Sequence, residues 1–234
     1  MSDVVAYMSE ATQTARVVDG LSDKIALRPI KTVGIIGAGT MGGGIAMNFA
    51  TAGIPVTIVE TREDALIRGL GVVRGNYQRS ADRGRFAQDE VDTRMALIDG
   101  ELDIGKLADC DLVIEAVFED FDIKTAVFSA LDDACDVGTI LASNTSSLSV
   151  NALAEATGRP DRFVGLHFFY HPAKNRLIEV IPAKTTSKKR LSEQFSIAER
   201  LERLSLFART DQDLLSTDSL SRGSMKPVYC SRKA

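Results

Sequence analysis

Two residues carry the clearest chemical signal in this sequence. His167, one of only two histidines, lies in the run GLHFF, and Glu179 follows twelve residues later in LIEVI. An imidazole titrates near neutral pH, and a carboxylate bonded to one ring nitrogen leaves the other able to take a proton. That is the equipment of a general base. An isolated pair of this kind is more often a core histidine bonded to a surface glutamate, so the assignment rests on its surroundings. His171, the other histidine, is the rival base.

A second chemical signal lies near the start. Gly37-Ala38-Gly39-Thr40-Met41-Gly42 is a G-x-G-x-x-G motif, preceded by an apolar run and followed by a helical pattern. In that context Gly37 permits a tight turn, Gly39 the close approach of a pyrophosphate, and Gly42 the packing of helix on strand. Helix N-terminal amides would then face the phosphates. Glu60, eighteen residues past Gly42, ends the next apolar run. A carboxylate there takes the ribose hydroxyls of the adenosine and repels a 2′-phosphate, which favours NAD over NADP. Arg62 nearby is a mild counter-argument.

Elements that must position these groups are legible as alternating runs. Strand-like segments are Lys31–Gly37, Pro55–Glu60, Asp111–Val117, Thr139–Ala142, Arg162–Phe169 and Leu177–Ile181. Helical patterns cover Thr40–Ala52, Ile123–Ala134 and a stretch near Val150–Ala156. Arg62–Ile98 is polar, charge-laced and largely helical with a break near Gly84, an excursion from the sheet. The alternation predicts an α/β fold of Rossmann type, a doubly wound parallel sheet.

Bulk properties exclude other classes. The 234 residues are 44% hydrophobic and 26% charged, with a formal net charge of −4, which argues against a nucleic-acid groove or an anionic membrane surface. Cys110, Cys135 and Cys230 show neither metal-ligand spacing nor a disulfide framework, as expected in a reducing compartment. The N-terminus is not basic, and no apolar run approaches the ~18–20 residues of a membrane span. These features predict a soluble, cytoplasmic protein without a metal.

Four segments in order, VGIIGAGTMGGGIAMNF, DLVIEAVFEDFDIK, SNTSSL and GLHFF…LIEVI, give a specific resemblance. From about Ile30 to Arg200 the chain resembles the NAD-binding domain of the L-3-hydroxyacyl-CoA dehydrogenases of fatty-acid β-oxidation. By that resemblance His167 takes the 3-hydroxyl proton as hydride leaves for NAD, Glu179 orients the imidazole, and Ser146 stands beside the reacting oxygen. Glu119 and Lys124 match cofactor-side positions, and Asn76 and Arg83 fall near positions that meet coenzyme A in relatives. Arg79 and Arg85 cluster with Arg83, and such a run is more often a solvated face. Relatives commonly carry Asn-Pro after HFF, the asparagine contacting the cofactor; here Tyr170-His171 occupies the place. An acyl-CoA substrate and a homodimer are also implied. A non-catalytic remnant that only binds dinucleotide is the alternative.

The resemblance divides the chain into a lead-in (1–30), an NAD-binding domain (31–200) and an aberrant tail (201–234). In the lead-in, Tyr7–Arg16 has a short helical pattern, and the segment resembles the linker of fused hydratase–dehydrogenases. The family continues past residue 200 into D-x-P-G-F-x-x-N-R and a helical domain that closes the acyl-CoA pocket and makes the dimer. The polar, serine-rich residues 201–234 match none of this. Shifting the frame by one base, with free choice among degenerate codons, lets the tail from Leu201 read LGKTVPVRKDGPGFVVNRFF. A one-base slip near Leu201–Glu202 is therefore expected, with a disordered tail beyond it.

Overall fold

The computed structural model describes residues 29–175, 177–187, 201, 204–207 and 226–229, the last two segments as backbone. The helix expected at Tyr7–Arg16 lies outside the described residues.

Strands β1 (Val33–Ile36), β2 (Val56–Val59), β4 (Leu112–Glu115), β5 (Ile140–Ser143) and β6 (Phe163–Phe168) form within the β-branched and apolar runs of the sequence. Almost every residue in them is buried, as expected for a sheet covered on both faces. The helices are α1 (Thr40–Thr51), α2 (Glu63–Ala81), α3 (Asp89–Met95), α4 (Phe121–Ala134) and α5 (Val150–Glu155). Asp120 caps α4 by accepting from the Ile123 amide, and Ser149 caps α5 by accepting from the Ala152 amide.

Side-chain alternation along the strands splits the core into two layers. Val33, Ile35, Ile58, Ile114, Leu166, Phe168 and Val180 pack against α1, α2 and α3 on one face. Ile36, Val59, Val113, Leu141, Phe163 and Ile181 pack against α4 and α5 on the other. This is the doubly wound arrangement.

Three features depart from expectation. The excursion is a helical pair, α2 and α3, but Ile98 does not belong to it: Ile98–Glu101 is β3, paired parallel to β2 at the sheet's edge. Its sequence, IDGE, has a single buried apolar residue and no alternation to reveal it. The sheet is also not wholly parallel. β7 (Leu177–Pro182) runs antiparallel to β6, because the eight residues between them are too few for a crossover.

Finally, the sheet continues past residue 200. β8 (Leu204–Phe207) pairs with β7, and β9 (Lys226–Tyr229) pairs with β8, so the order is β3-β2-β1-β4-β5-β6-β7-β8-β9. These eight residues of the expected disordered tail are strands. An edge strand such as β7 presents unpaired backbone groups that recruit any segment able to extend.

Candidate functional site

Every sequence-predicted group of the cofactor turn and the acid–base pair sits at or just beyond the carboxyl ends of the parallel strands, or opposite β6 on β7. In open α/β sheets that edge is where ligands bind.

The turn after β1 assigns different tasks to its glycines. Gly37 has φ +103°, a left-handed conformation that favours glycine, and an added Cβ would stand 2.9 Å from the Ala116 carbonyl oxygen. A Cβ on Gly42 would lie 1.9 Å from the Gly37 carbonyl oxygen, so that glycine lets α1 pack on its own turn. Around Gly39 a Cβ would meet nothing within 4 Å. Gly39 is also the N-cap of α1; no side chain caps that helix, and no acid stands in its first turn. The amide end of α1, at Thr40, Met41 and Gly42, therefore has neither a side-chain cap nor an acid in its first turn.

Glu60 closes the other side of this space. Its Oε2 accepts from the Ala38 amide at 3.0 Å, and its Oε1 accepts from the Thr61 amide at 2.8 Å. Arg62 is turned to Asp64, with Nε–Oδ1 and Nη2–Oδ2 distances of 2.9 and 2.6 Å. Its guanidinium is thereby engaged in an exposed ion pair with Asp64.

Glu119, Lys124 and Ser146 come together as one network. Glu119 Oε1 accepts from the Thr145 hydroxyl (2.6 Å), the Ser146 amide (2.8 Å) and the Ser147 amide (3.0 Å), and lies 3.3 Å from Ser146 Oγ. Lys124, 1% exposed, places Nζ 3.3 Å from Glu119 Oε2 and 2.6 Å from Glu115 Oε1. Burial would raise the pKa of Glu119, but the Thr145 hydroxyl, the Ser146 amide and the Lys124 ammonium outweigh it and hold the pKa down at about 2.

His167 and Glu179 face each other directly in the β6–β7 register. The imidazole Nδ1 is 3.1 Å from Glu179 Oε2, and both residues are buried. The tautomer with the hydrogen on Nδ1 donates to that oxygen and leaves the Nε2 lone pair free. Glu179 Oε1 is buried with no hydrogen-bond partner among the described residues. His171 has no such support: its Nδ1 is buried and unpartnered among the described residues. Its loop docks on α1, where Asn48 Nδ2 donates to the Pro172 carbonyl at 3.2 Å and a Cβ on Gly44 would meet Pro172 Cγ at 2.5 Å.

Asn76 and Arg83 stand apart from these groups. Asn76, on α2, accepts from the Arg79 guanidinium, while Arg83 is exposed just beyond the helix. Composition did not reveal Glu115, Ser143, Asn144 or Thr145. Asn144 Oδ1 accepts from the Phe168 amide at 2.8 Å and so ties the serine loop to the strand that bears His167. The motifs SNTSSL and VIEA do contain these residues, but only the β4–β5 register, Glu115 opposite Ser143, shows that they meet. No cluster of His, Cys, Asp or Glu among the described residues could hold a metal ion.

The residues present fit a dinucleotide. The open space at Gly39, the uncapped α1 amides and the Glu60 carboxylate supply a close backbone approach, an anion site and a ribose acceptor.

Comparison with known proteins agrees with this geometry. Residues 32–211 match the family described as 3-hydroxyacyl-CoA dehydrogenase, NAD binding domain. The chain is 35% identical over 187 residues to the peroxisomal fatty acid beta-oxidation multifunctional protein MFP2 of Arabidopsis thaliana, covering 80% of this chain and 26% of that protein. It is 35% identical over 170 residues to a 3-hydroxybutyryl-CoA dehydrogenase of Clostridioides difficile, covering 73% and 60% respectively. The fold matches the crystal structure of (S)-3-hydroxybutyryl-CoA dehydrogenase from Ralstonia eutropha with a TM-score of 0.79 at 32% identity, covering 82% of this chain and 68% of that one. The chain thus spans about a quarter of the length of the multifunctional relatives it matches.

Proposed function

Because this chain belongs to the 3-hydroxyacyl-CoA dehydrogenase family through its NAD-binding domain, we propose that it oxidises an L-3-hydroxyacyl-CoA to the 3-ketoacyl-CoA. NAD, when bound, supplies the hydride acceptor. His167 Nε2 takes the proton of the 3-hydroxyl, while the bond from Nδ1 to Glu179 fixes the tautomer and offsets the new charge. Ser146 offers its hydroxyl to the reacting oxygen from the loop that Glu119 holds. Gly37 to Gly42, Glu60, Glu119 and Lys124 make the cofactor side, and Asn76 and Arg83 are assigned to coenzyme A. A guanidinium suits that coenzyme's phosphates.

The observation that carries this reading is the buried His167–Glu179 pair, 3.1 Å apart. It stands on the strand pair beside the edge that bears the glycine turn. A second reading is a dinucleotide-binding protein without turnover. NADH production from 3-hydroxybutyryl-CoA separates the two. Turnover that falls about 10²–10⁴-fold in His167→Gln, with NADH binding retained, is the expected result. Wild-type chain that binds NADH and produces none leaves the second reading; undiminished turnover in His167→Gln transfers the base role to His171.

A cytoplasmic location completes the proposal; the homodimer of the family belongs to a helical domain that residues 201–234 do not match. No helix among the described residues is long and apolar enough to cross a membrane. Relatives named as peroxisomal make the peroxisome the competing compartment, which cell fractionation decides.

A further inference from the structure

Glu115 and Glu179 are both carboxylates of the sheet with 0% exposure, and none of the roles above uses Glu115. Glu115 ends β4. Its two oxygens face two different parts of the site. Oε1 accepts from Lys124 Nζ at 2.6 Å and from the Val117 amide at 2.7 Å. Oε2 accepts from the Ser143 hydroxyl at 2.6 Å.

From these oxygens two routes run to one loop. In the first, Lys124 bridges from Glu115 to Glu119, which gathers the Thr145 hydroxyl and the amides of Ser146 and Ser147. In the second, the Ser143 hydroxyl donates to Glu115 and accepts from the Thr145 amide at 3.2 Å. A third connection reaches the glycine turn: the residue after Glu115 donates its amide to the Ile36 carbonyl at 2.9 Å, and its own carbonyl oxygen is what a Cβ on Gly37 would strike.

We infer that Glu115 is a positioning residue, whose buried carboxylate sets the Thr145–Ser147 loop and the Glu119 carboxylate against the cofactor turn through Lys124 and Ser143. The inference rests on the dehydrogenase reading only for its catalytic consequence; the placement of the loop is independent of it. A neutral amide cannot replace the carboxylate here. Three donors converge on Glu115, and a glutamine has one acceptor oxygen and an NH₂ that must itself donate. In Glu115→Gln the amide would donate to Ser143 Oγ, the Ser143 proton would lose its acceptor, and Lys124 would keep one carboxylate instead of two. Both routes are then weakened at once: the amide oxygen still accepts from Lys124 and Val117 but without the ion pair, and the Ser143 side loses its charged acceptor.

The test is residue-resolved amide exchange on the full chain, followed by NADH titration calorimetry. In Glu115→Gln the Ser146 and Ser147 amides are expected to exchange at least tenfold faster, with Ile114 and Ala142 in the strands unchanged. The dissociation constant for NADH is expected to rise several-fold. Ser143→Ala, which cuts one route and leaves the Lys124 pair intact, gives a smaller acceleration centred on Thr145 and serves if Glu115→Gln does not fold. Unchanged loop exchange in both variants overturns the inference. So does uniform acceleration across the sheet, which would mark Glu115 as structural only. Wild-type protein without turnover defeats the dehydrogenase reading but leaves these exchange rates to decide the positioning role.

Discussion

Glu119 concentrates the Thr145, Ser146 and Ser147 donors on one oxygen and faces Lys124 with the other. Its pKa of about 2 lies below the unperturbed 4.5, so the folded state binds this proton less readily than the unfolded chain. The stability this carboxylate contributes is therefore present in full above about pH 4.5 and is lost as pH falls through about 2. Denaturant unfolding of wild type and Glu119→Gln should show a constant difference above about pH 5 that shrinks progressively in acid. A difference that does not change with pH would remove the ionised carboxylate from the account. At this scale the sequence marked candidate residues better than it showed how they meet. His167 and Glu179 were legible because two charged or polar residues interrupt apolar strands. Glu115 was not: in DLVIEAV it looks like any polar residue at a strand's end, and its partners lie 9 and 28 residues away.

Elements supply what single residues cannot. Helix α1 does two jobs, packing its first turn on the Gly37–Gly42 loop and its middle on the loop that carries His171 and Pro172. The contrast between its glycines makes a paired prediction. Gly42→Ala places a Cβ 1.9 Å from a backbone oxygen, so the turn must open. That change should cost about 1–3 kcal/mol or more in unfolding free energy, the scale of overpacking. Gly39 has φ −69° and ψ −174°, open to any residue, with nothing near its missing Cβ. Gly39→Ala should leave stability within about 0.5 kcal/mol and still weaken NADH binding about tenfold or more, by about 1.4 kcal/mol. Equal loss of stability in both variants would mean that the space at Gly39 is not kept for a ligand. The strands were read well where β-branched runs are buried on both faces. Strand β3 escaped because IDGE is a sheet edge whose place is set by β2, and the reversal at β7 follows from a loop length rather than from any residue type.

The whole molecule is an open sheet whose site is assembled at one edge by strands far apart in sequence. Loops leaving that edge expose Phe118 (82%) and Tyr170 (76%). In the dehydrogenase reading this edge takes the acyl chain, and a helical domain encoded beyond the sheet would cover it. The tail's shifted reading predicts where that domain begins. DNA across the codons of Arg200 to Ala234 should read in the alternative frame through P-G-F-x-x-N-R and onward into helical sequence. The restored protein should then exceed the present chain in kcat/KM for 3-hydroxybutyryl-CoA by about 10²-fold, the scale on which lost positioning contacts act. Its dissociation constant for NADH should stay within about twofold, because the glycine turn, Glu60 and Glu119 all precede the slip. Codons that do not yield the motif would make the tail native. β8 and β9 would then be this protein's own continuation of the sheet past β7.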